Sequence, residues 1–253
     1  MTLLRELRAL WWRKMLETLR APVWLFMGLT TPLLYLALFA PVLDALAGGP
    51  GFQQGSVLDA FIPGILCLMA FGAGMGAGWI VISELQTGVI ERLRVTPVSR
   101  LALLTGTVLR DVVAFVVPAL IVIGIAIPFG YQPHLAGTVL MLVLLCLVTA
   151  TTSAWSSALG IALREIGSIA AVVTGLQLPL TLLSGILLPL SLAPAWLRGM
   201  AHIDPLYYAV EAARTLSAGN VVDWTAGTGL LVMAALTVLT LTWATRIYRL
   251  ATT

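Results

Sequence analysis

The sequence predicts an all-α integral membrane protein with six transmembrane helices, and three observations carry that prediction. Of 253 residues, 60% are hydrophobic and only 10% are charged, where a soluble domain carries about 25% charged residues. So few charges cannot cover a water-exposed surface. Apolar runs recur that are long enough to cross the hydrocarbon, for which a helix needs roughly 20 residues, and the mean hydropathy is +1.02. The basic residues lie in short flanks between those runs, twelve on one predicted side and two on the other. One membrane domain over 1–253 is expected, with a connecting helix over 1–21 and a six-helix body over 23–247.

Residues 3–20 put Leu3, Leu4, Leu7, Leu10, Trp11, Met15 and Leu19 on one helical face and Arg5, Glu6, Arg8, Arg13, Lys14 and Glu17 largely on the other. That pattern predicts an amphipathic helix lying in the membrane interface, with its tryptophans at headgroup depth. Pro22 separates it from the first span. The basic start and the stretch Ala45-Leu46-Ala47-Gly48 imitate a cleavable signal, but the run from Val23 to Leu43 exceeds the about 7 to 15 residues of a signal core. Retention of the segment is expected.

The spans predicted are 23–43, 61–82, 102–127, 136–161, 168–188 and 225–245. Arg5, Arg8, Arg13, Lys14 and Arg20 precede them; Arg92, Arg94, Arg100 and Arg110 follow span two; Arg164 follows span four; Arg246 and Arg249 close the chain. Only Arg198 and Arg214 fall on the opposite side. Positive residues stay inside, so both termini are expected in the cytoplasm, in a multi-pass protein of the cytoplasmic (inner) membrane with an even number of spans. Between spans five and six, Leu190 to Trp224 is too long for a tight turn. Its prolines and aromatics predict short re-entrant helices in the outer leaflet, shielded by protein.

Several classes are excluded. The net charge of +3 is not gathered into a stripe, so nucleic acid is not expected as a partner. Cys67 and Cys146 have no CxxC spacing and read as small apolar residues. His134 and His202 are far apart without a metal-ligand pattern, so no metal is expected. A P-loop needs GxxxxGK[ST], and the single lysine, Lys14, stands in a WWRKM context. The chain is therefore not expected to be an enzyme by itself or to bind a cofactor directly. Glu84, Asp111, Glu165 and Glu211 all lie near predicted span ends, whereas ion-coupled carriers place acids at mid-membrane.

Small and polar stripes mark the spans. Gly72, Gly74, Gly76 and Gly78 in span two have the spacing of close helix packing. Thr149, Ser153, Ser156, Ser157 and Gly160 share a face of span four. Thr174, Gln177, Thr181 and Ser184 share a face of span five, which serves either helix packing or the lining of a substrate path.

After span two, Leu85, Val89 and Leu93 recur every four residues, predicting a short helix whose charges, Glu84, Glu91, Arg92 and Arg94, are offered to a partner. Pro97 stops it and Ser99 is placed to cap the third span. Composition alone reads the same stretch as an ordinary charged connector. Glu84, Gly88, Glu91, Leu93, Thr96, Pro97, Ser99 and Arg100 form an E-x-x-x-G-x-x-E-x-L-x-x-T-P-x-S-R run. It resembles the permeases of the ABC-2 type family, especially the daunorubicin-exporter and nodulation-factor-exporter branches. Ser184, Gly185, Pro189, Pro194, Trp196, Leu197, Pro205, Tyr208, Glu211 and Arg214 are similar to the family's S-G-x-x-x-P, P-x-W-L and N-P-L-x-Y-x-x-E-x-x-R pattern. Asp204 stands where that pattern has Asn.

The resemblance implies a coupling helix between spans two and three, formed by Glu84, Gly88, Glu91, Arg92, Leu93, Thr96, Pro97, Ser99 and Arg100, that docks on a separate ATP-binding-cassette ATPase. ATP and Mg would bind that subunit. It further implies a second permease copy and export of a lipophilic or amphiphilic molecule. The alternative is a non-transporting membrane scaffold that recruits a cytoplasmic partner through the same segment.

Overall fold

Five helices are long and apolar enough to cross a bilayer: Phe61–Gln86, Ala102–Phe129, Leu135–Leu163, Ile166–Leu183 and Trp224–Tyr248. The structure, a computed structural model, describes residues 11–16, 18, 20, 26, 28–38, 57–88, 100–186, 190 and 193–250. Among these every regular element is helical. Gly28–Leu38 is a shorter apolar helix within the first predicted span; the rest of 23–43 lies outside the described residues, so five spans are seen where six were expected. Of the interfacial helix, residues 11–16 are described and helical.

Helix α1 (Val57–Met75) and helix α2 (Ala77–Gln86) meet at Gly76, whose dihedrals (φ −65°, ψ −18°) carry the helical path through, so the two form one span. Next come α3 (Arg100–Ala126), a single 3-10 turn, and α4 (Leu135–Leu163). Arg164, at φ 55°, then turns the chain directly into α5 (Ile166–Leu183). This helix ends five residues short of the predicted 188, because Gly185 enters the left-handed region at φ 71°, which only glycine adopts freely. The loop beyond holds α6 (Ala195–Ala201) and α7 (Pro205–Ser217), and α8 (Trp224–Leu250) follows.

Helix α4 is the hub, packing along α1, α2, α3, α7 and α8. Its small residues allow this. A Cβ on Gly74 would overlap the Thr152 hydroxyl and the Thr149 carbonyl, and one on Gly78 would strike Ile169 and Ser156. Gly160 faces Gly78 in turn. Gly72 and Gly76 take no part: Gly72 has nothing within 4 Å, and the nearest atom to Gly76 is a carbonyl of its own helix. The glycine stripe therefore splits, Gly74 and Gly78 packing and Gly72 facing outward. Where lipid removes the hydrophobic drive, close approach of this kind is what associates helices. Helix α5 is the least buried of the five spans.

Candidate functional site

Polar groups gather at the two ends of the bundle. At the first end, α2 runs out through Glu84 and is followed by Thr87 and Gly88. Gly88 ends the helix at φ 69°, its N–H donating to the Leu85 carbonyl at 3.2 Å. The segment it opens holds Glu91, Arg92, Leu93, Thr96, Pro97 and Ser99, which lie outside the described residues, as does the Arg100 side chain. Glu84 is turned into the protein: the Lys14 ammonium sits 3.0 Å from Glu84 Oε1 and donates to Thr107 Oγ1 of α3 at 2.8 Å. Sequence placed Lys14 on the polar face of the interfacial helix, yet it is buried while Trp12 is exposed. Glu84 and Lys14 are 70 residues apart, and nothing in the local pattern of either announces the other.

Deeper along α3, Arg110 and Asp111 form an ion pair, and the Ser153 hydroxyl of α4 donates to Asp111 Oδ2 at 2.5 Å. Asp111 is buried, so its expected place near a span end is corrected. It lies eleven positions beyond the first residue of α3, about 16 Å along the axis at 1.5 Å per residue. Arg110 belongs with it inside the helix, not in the basic flank after span two. Two other hydroxyls of α4 bridge to span two: Thr149 donates to the Ala70 carbonyl at 3.1 Å and Ser156 to that of Met75 at 2.6 Å. The Gly78 N–H donates to Ser156 Oγ at 3.0 Å. This stripe is helix packing.

On α5, the two C-terminal hydroxyls are satisfied by their own helix. Thr181 donates to the Gln177 carbonyl at 2.8 Å and Ser184 to that of Thr181 at 3.0 Å. Thr174 is exposed and Gln177 half-buried.

At the second end, Pro194 starts α6 and Pro205 opens α7, where a ring that cannot donate costs nothing. Trp196 is exposed and Leu197 half-buried. The Tyr208 hydroxyl donates to the His202 carbonyl at 3.1 Å. Asp204 caps α7, Oδ1 accepting the Leu206 N–H at 2.9 Å, while Oδ2 is buried with no hydrogen-bond partner among the described residues. Burial pushes the Asp204 carboxyl up to about 6, against the opposing Leu206 N–H. Arg214 pairs with Glu211 at 3.1 Å and donates to the Gly185 carbonyl at 2.7 Å; burial lowers its pKa and Glu211 raises it. Glu211 and Arg214 of the late motif are thus brought together, and Tyr208 bonds elsewhere.

A helical bundle of this kind, apolar along five spans and polar at both ends, defines a multi-pass membrane protein. A model of the ABC-2 type transporter family matches residues 5–217, and the chain belongs to that family of membrane transport permeases. It is 27% identical over 215 residues to a protein named putative transport permease ycf38 from Cyanophora paradoxa, covering 84% of this chain and 74% of the relative. It is 25% identical over 240 residues to the daunorubicin resistance ABC transporter permease protein DrrB1 of Streptomyces coeruleorubidus, covering 94% and 84%. A ycf38 permease of Pyropia yezoensis is 26% identical over 226 residues, covering 88% and 77%.

Proposed function

We propose that the chain is the membrane subunit of an ATP-binding-cassette exporter that moves a lipophilic or amphiphilic molecule across the cytoplasmic membrane. It crosses six times with both termini in the cytoplasm, pairs with a second permease copy, and takes its energy from ATP and Mg bound to a separate ATPase subunit. Membership of the ABC-2 family is the observation that carries this reading. The one lysine adds to it: Lys14 is held by Glu84 and Thr107, so no lysine is left to sit against nucleotide phosphates as a P-loop requires. That supports an energy source on another subunit.

The segment that Gly88 opens is the contact for the ATPase, with Glu91, Arg92, Leu93, Thr96, Pro97, Ser99 and Arg100 carrying it and Glu84 anchoring its base. A segment docked on the ATPase can pass a subunit movement into the spans that it joins. The exposed middle of α5, with Thr174 and Gln177, borders the substrate path, while Pro194, Trp196, Leu197, Pro205, Tyr208, Glu211 and Arg214 build a re-entrant outer segment. The resistance named for the Streptomyces relative supports an amphiphilic substrate class.

The test is co-purification with the cognate ATPase in detergent, then reconstitution and measurement of amphiphile-stimulated hydrolysis and efflux. Reversing the charges of Glu91 and Arg92 together is expected to leave membrane insertion intact and to abolish the stimulation. Unchanged export in that variant removes the contact assignment. Stable insertion with no ATPase bound would favour the scaffold reading.

A further inference from the structure

Two oppositely charged pairs lie along the stretches of α2 and α3 that build the second apolar cluster of the bundle. Val81 of α2, Leu104 and Val108 of α3, Ala154 and Ala158 of α4 and Tyr248 of α8 pack together there. Glu84 and Thr107 occupy the same stretches of α2 and α3, and both are largely shielded from solvent: the Glu84 side chain is 16% exposed, that of Lys14 7%, and Thr107 is buried. A charge in such surroundings persists only when it is paired and hydrogen-bonded. Lys14 provides both. Its ammonium has three protons to donate and no acceptor, and it divides them between Glu84 at the end of one span and Thr107 near the start of the next.

The arrangement of Thr107 fits that role. Its hydroxyl donates to the Leu103 carbonyl at 3.1 Å, leaving an oxygen lone pair for the Lys14 proton. One turn further on along the same helix, Asp111 accepts from Ser153 and so links α3 to α4. Three separately connected pieces of chain, the segment 11–16, the end of α2 and the start of α3, thus meet on a single ammonium. Sliding any of them by a helical turn would strand a carboxylate or an ammonium among aliphatic side chains. Apolar contacts alone tolerate such a slide; this contact does not.

We propose that Lys14 is a positioning residue, the pin that makes the N-terminal helix and the adjoining ends of spans two and three move as one body. Displacement applied beyond Gly88 is thereby carried into Asp111 and Ser153 in the bundle instead of being lost by bending at the surface. The consequence for transport rests on the export reading above; the pin itself does not.

Two arms test it. In the purified permease, K14M, E84Q and the double variant form a cycle read by apparent melting temperature. If the two groups interact, the double variant melts close to the less stable single, whereas additive shifts overturn the pin. In the reconstituted complex with its ATPase, K14M is expected to retain ATPase association and basal hydrolysis and to lower transport per ATP about tenfold. The charge swap K14E/E84K is expected to recover it to within about threefold, and T107V to fall between. Unchanged transport per ATP in K14M overturns the proposal, as does a swap that restores melting but not coupling. If the native complex couples hydrolysis to no amphiphile, the export reading fails, and the cycle in the permease still decides the pin.

Discussion

The guanidinium of Arg214 donates to the Gly185 carbonyl at 2.7 Å and to the Ile186 carbonyl at 3.4 Å while holding Glu211 at 3.1 Å. One side chain thus fixes the chain just past the C-terminal end of α5, at two carbonyls that lie outside the helix. Gly185 makes this possible, since its left-handed backbone re-aims the chain just past the helix. Behind it, a Cβ on Gly64 of α1 would overlap the Ile186 carbonyl. The least buried span is therefore fixed at this end by backbone contact and one cation.

Replacing Arg214 by leucine should remove those bonds and leave Glu211 unpaired. Hydrogen bonds to a charged group contribute about 1.5 to 3 kcal/mol, so a loss of about 3 kcal/mol is expected in detergent unfolding. R214K should recover less than half, because one ammonium cannot reproduce the fork that spans a carbonyl and a carboxylate. Equal stability of the lysine variant and the native protein would show that charge alone suffices.

Asp204 should make stability depend on pH in an unusual direction. Its carboxyl is raised by burial from 3.8 to about 6, so between those values the folded protein keeps a proton that the unfolded chain has lost. Stability from this group is greatest below about pH 4, falls as pH rises to about 6, and stays low above. Asparagine keeps the acceptor for the Leu206 N–H and removes the charge. D204N is expected to match the native protein near pH 4 and to exceed it at pH 7.5 by about 2 to 3 kcal/mol, at 1.36 kcal/mol per unit. Parallel melting curves across pH 4 to 8 would rule this out.

The glycines of span two separate two kinds of surface. A leucine at Gly78 meets Ile169 and the Ser156 carbonyl, and overpacking costs about 1 to 3 kcal/mol or more. Gly72 is exposed with nothing within 4 Å, so G72L should stay within about 0.5 kcal/mol in the isolated permease. Thermal unfolding of both variants in one detergent checks the contrast; equal losses would mean that Gly72 also packs.

The spans were legible because lipid imposes their length and oiliness, so Phe61–Gln86 and Trp224–Tyr248 fall within a few residues of the runs predicted for them. Glycine spacing in span two likewise announced close packing, and the Gly78 N–H meets Ser156 of span four. Lys14 was not legible. An amphipathic pattern assigns a lysine to the wet face, and only the meeting of segments 70 and 93 residues away turns it inward. Asp111 lies too far along α3 to belong to a flank.

The stripe on α5 is where sequence left two readings open, and the structure narrows what can decide between them. Thr181 and Ser184 have spent their hydroxyl protons on their own helix, so neither has a proton to give a substrate without breaking a backbone bond. Thr174 stands exposed and Gln177 half-buried, and an amide in a membrane helix that bonds a neighbour or a ligand contributes about 0.6 to 1.7 kcal/mol. If this face borders the path, Q177L should shift the amphiphile concentration that half-stimulates hydrolysis by about 3- to 18-fold, the equivalent of that energy. Its melting temperature should hold. T181V and S184A should move neither. If instead Gln177 packs against a second copy, Q177L should lower the stability of the assembled complex and leave the half-stimulating concentration where it was. Reading both quantities on the same preparation assigns the stripe to one role.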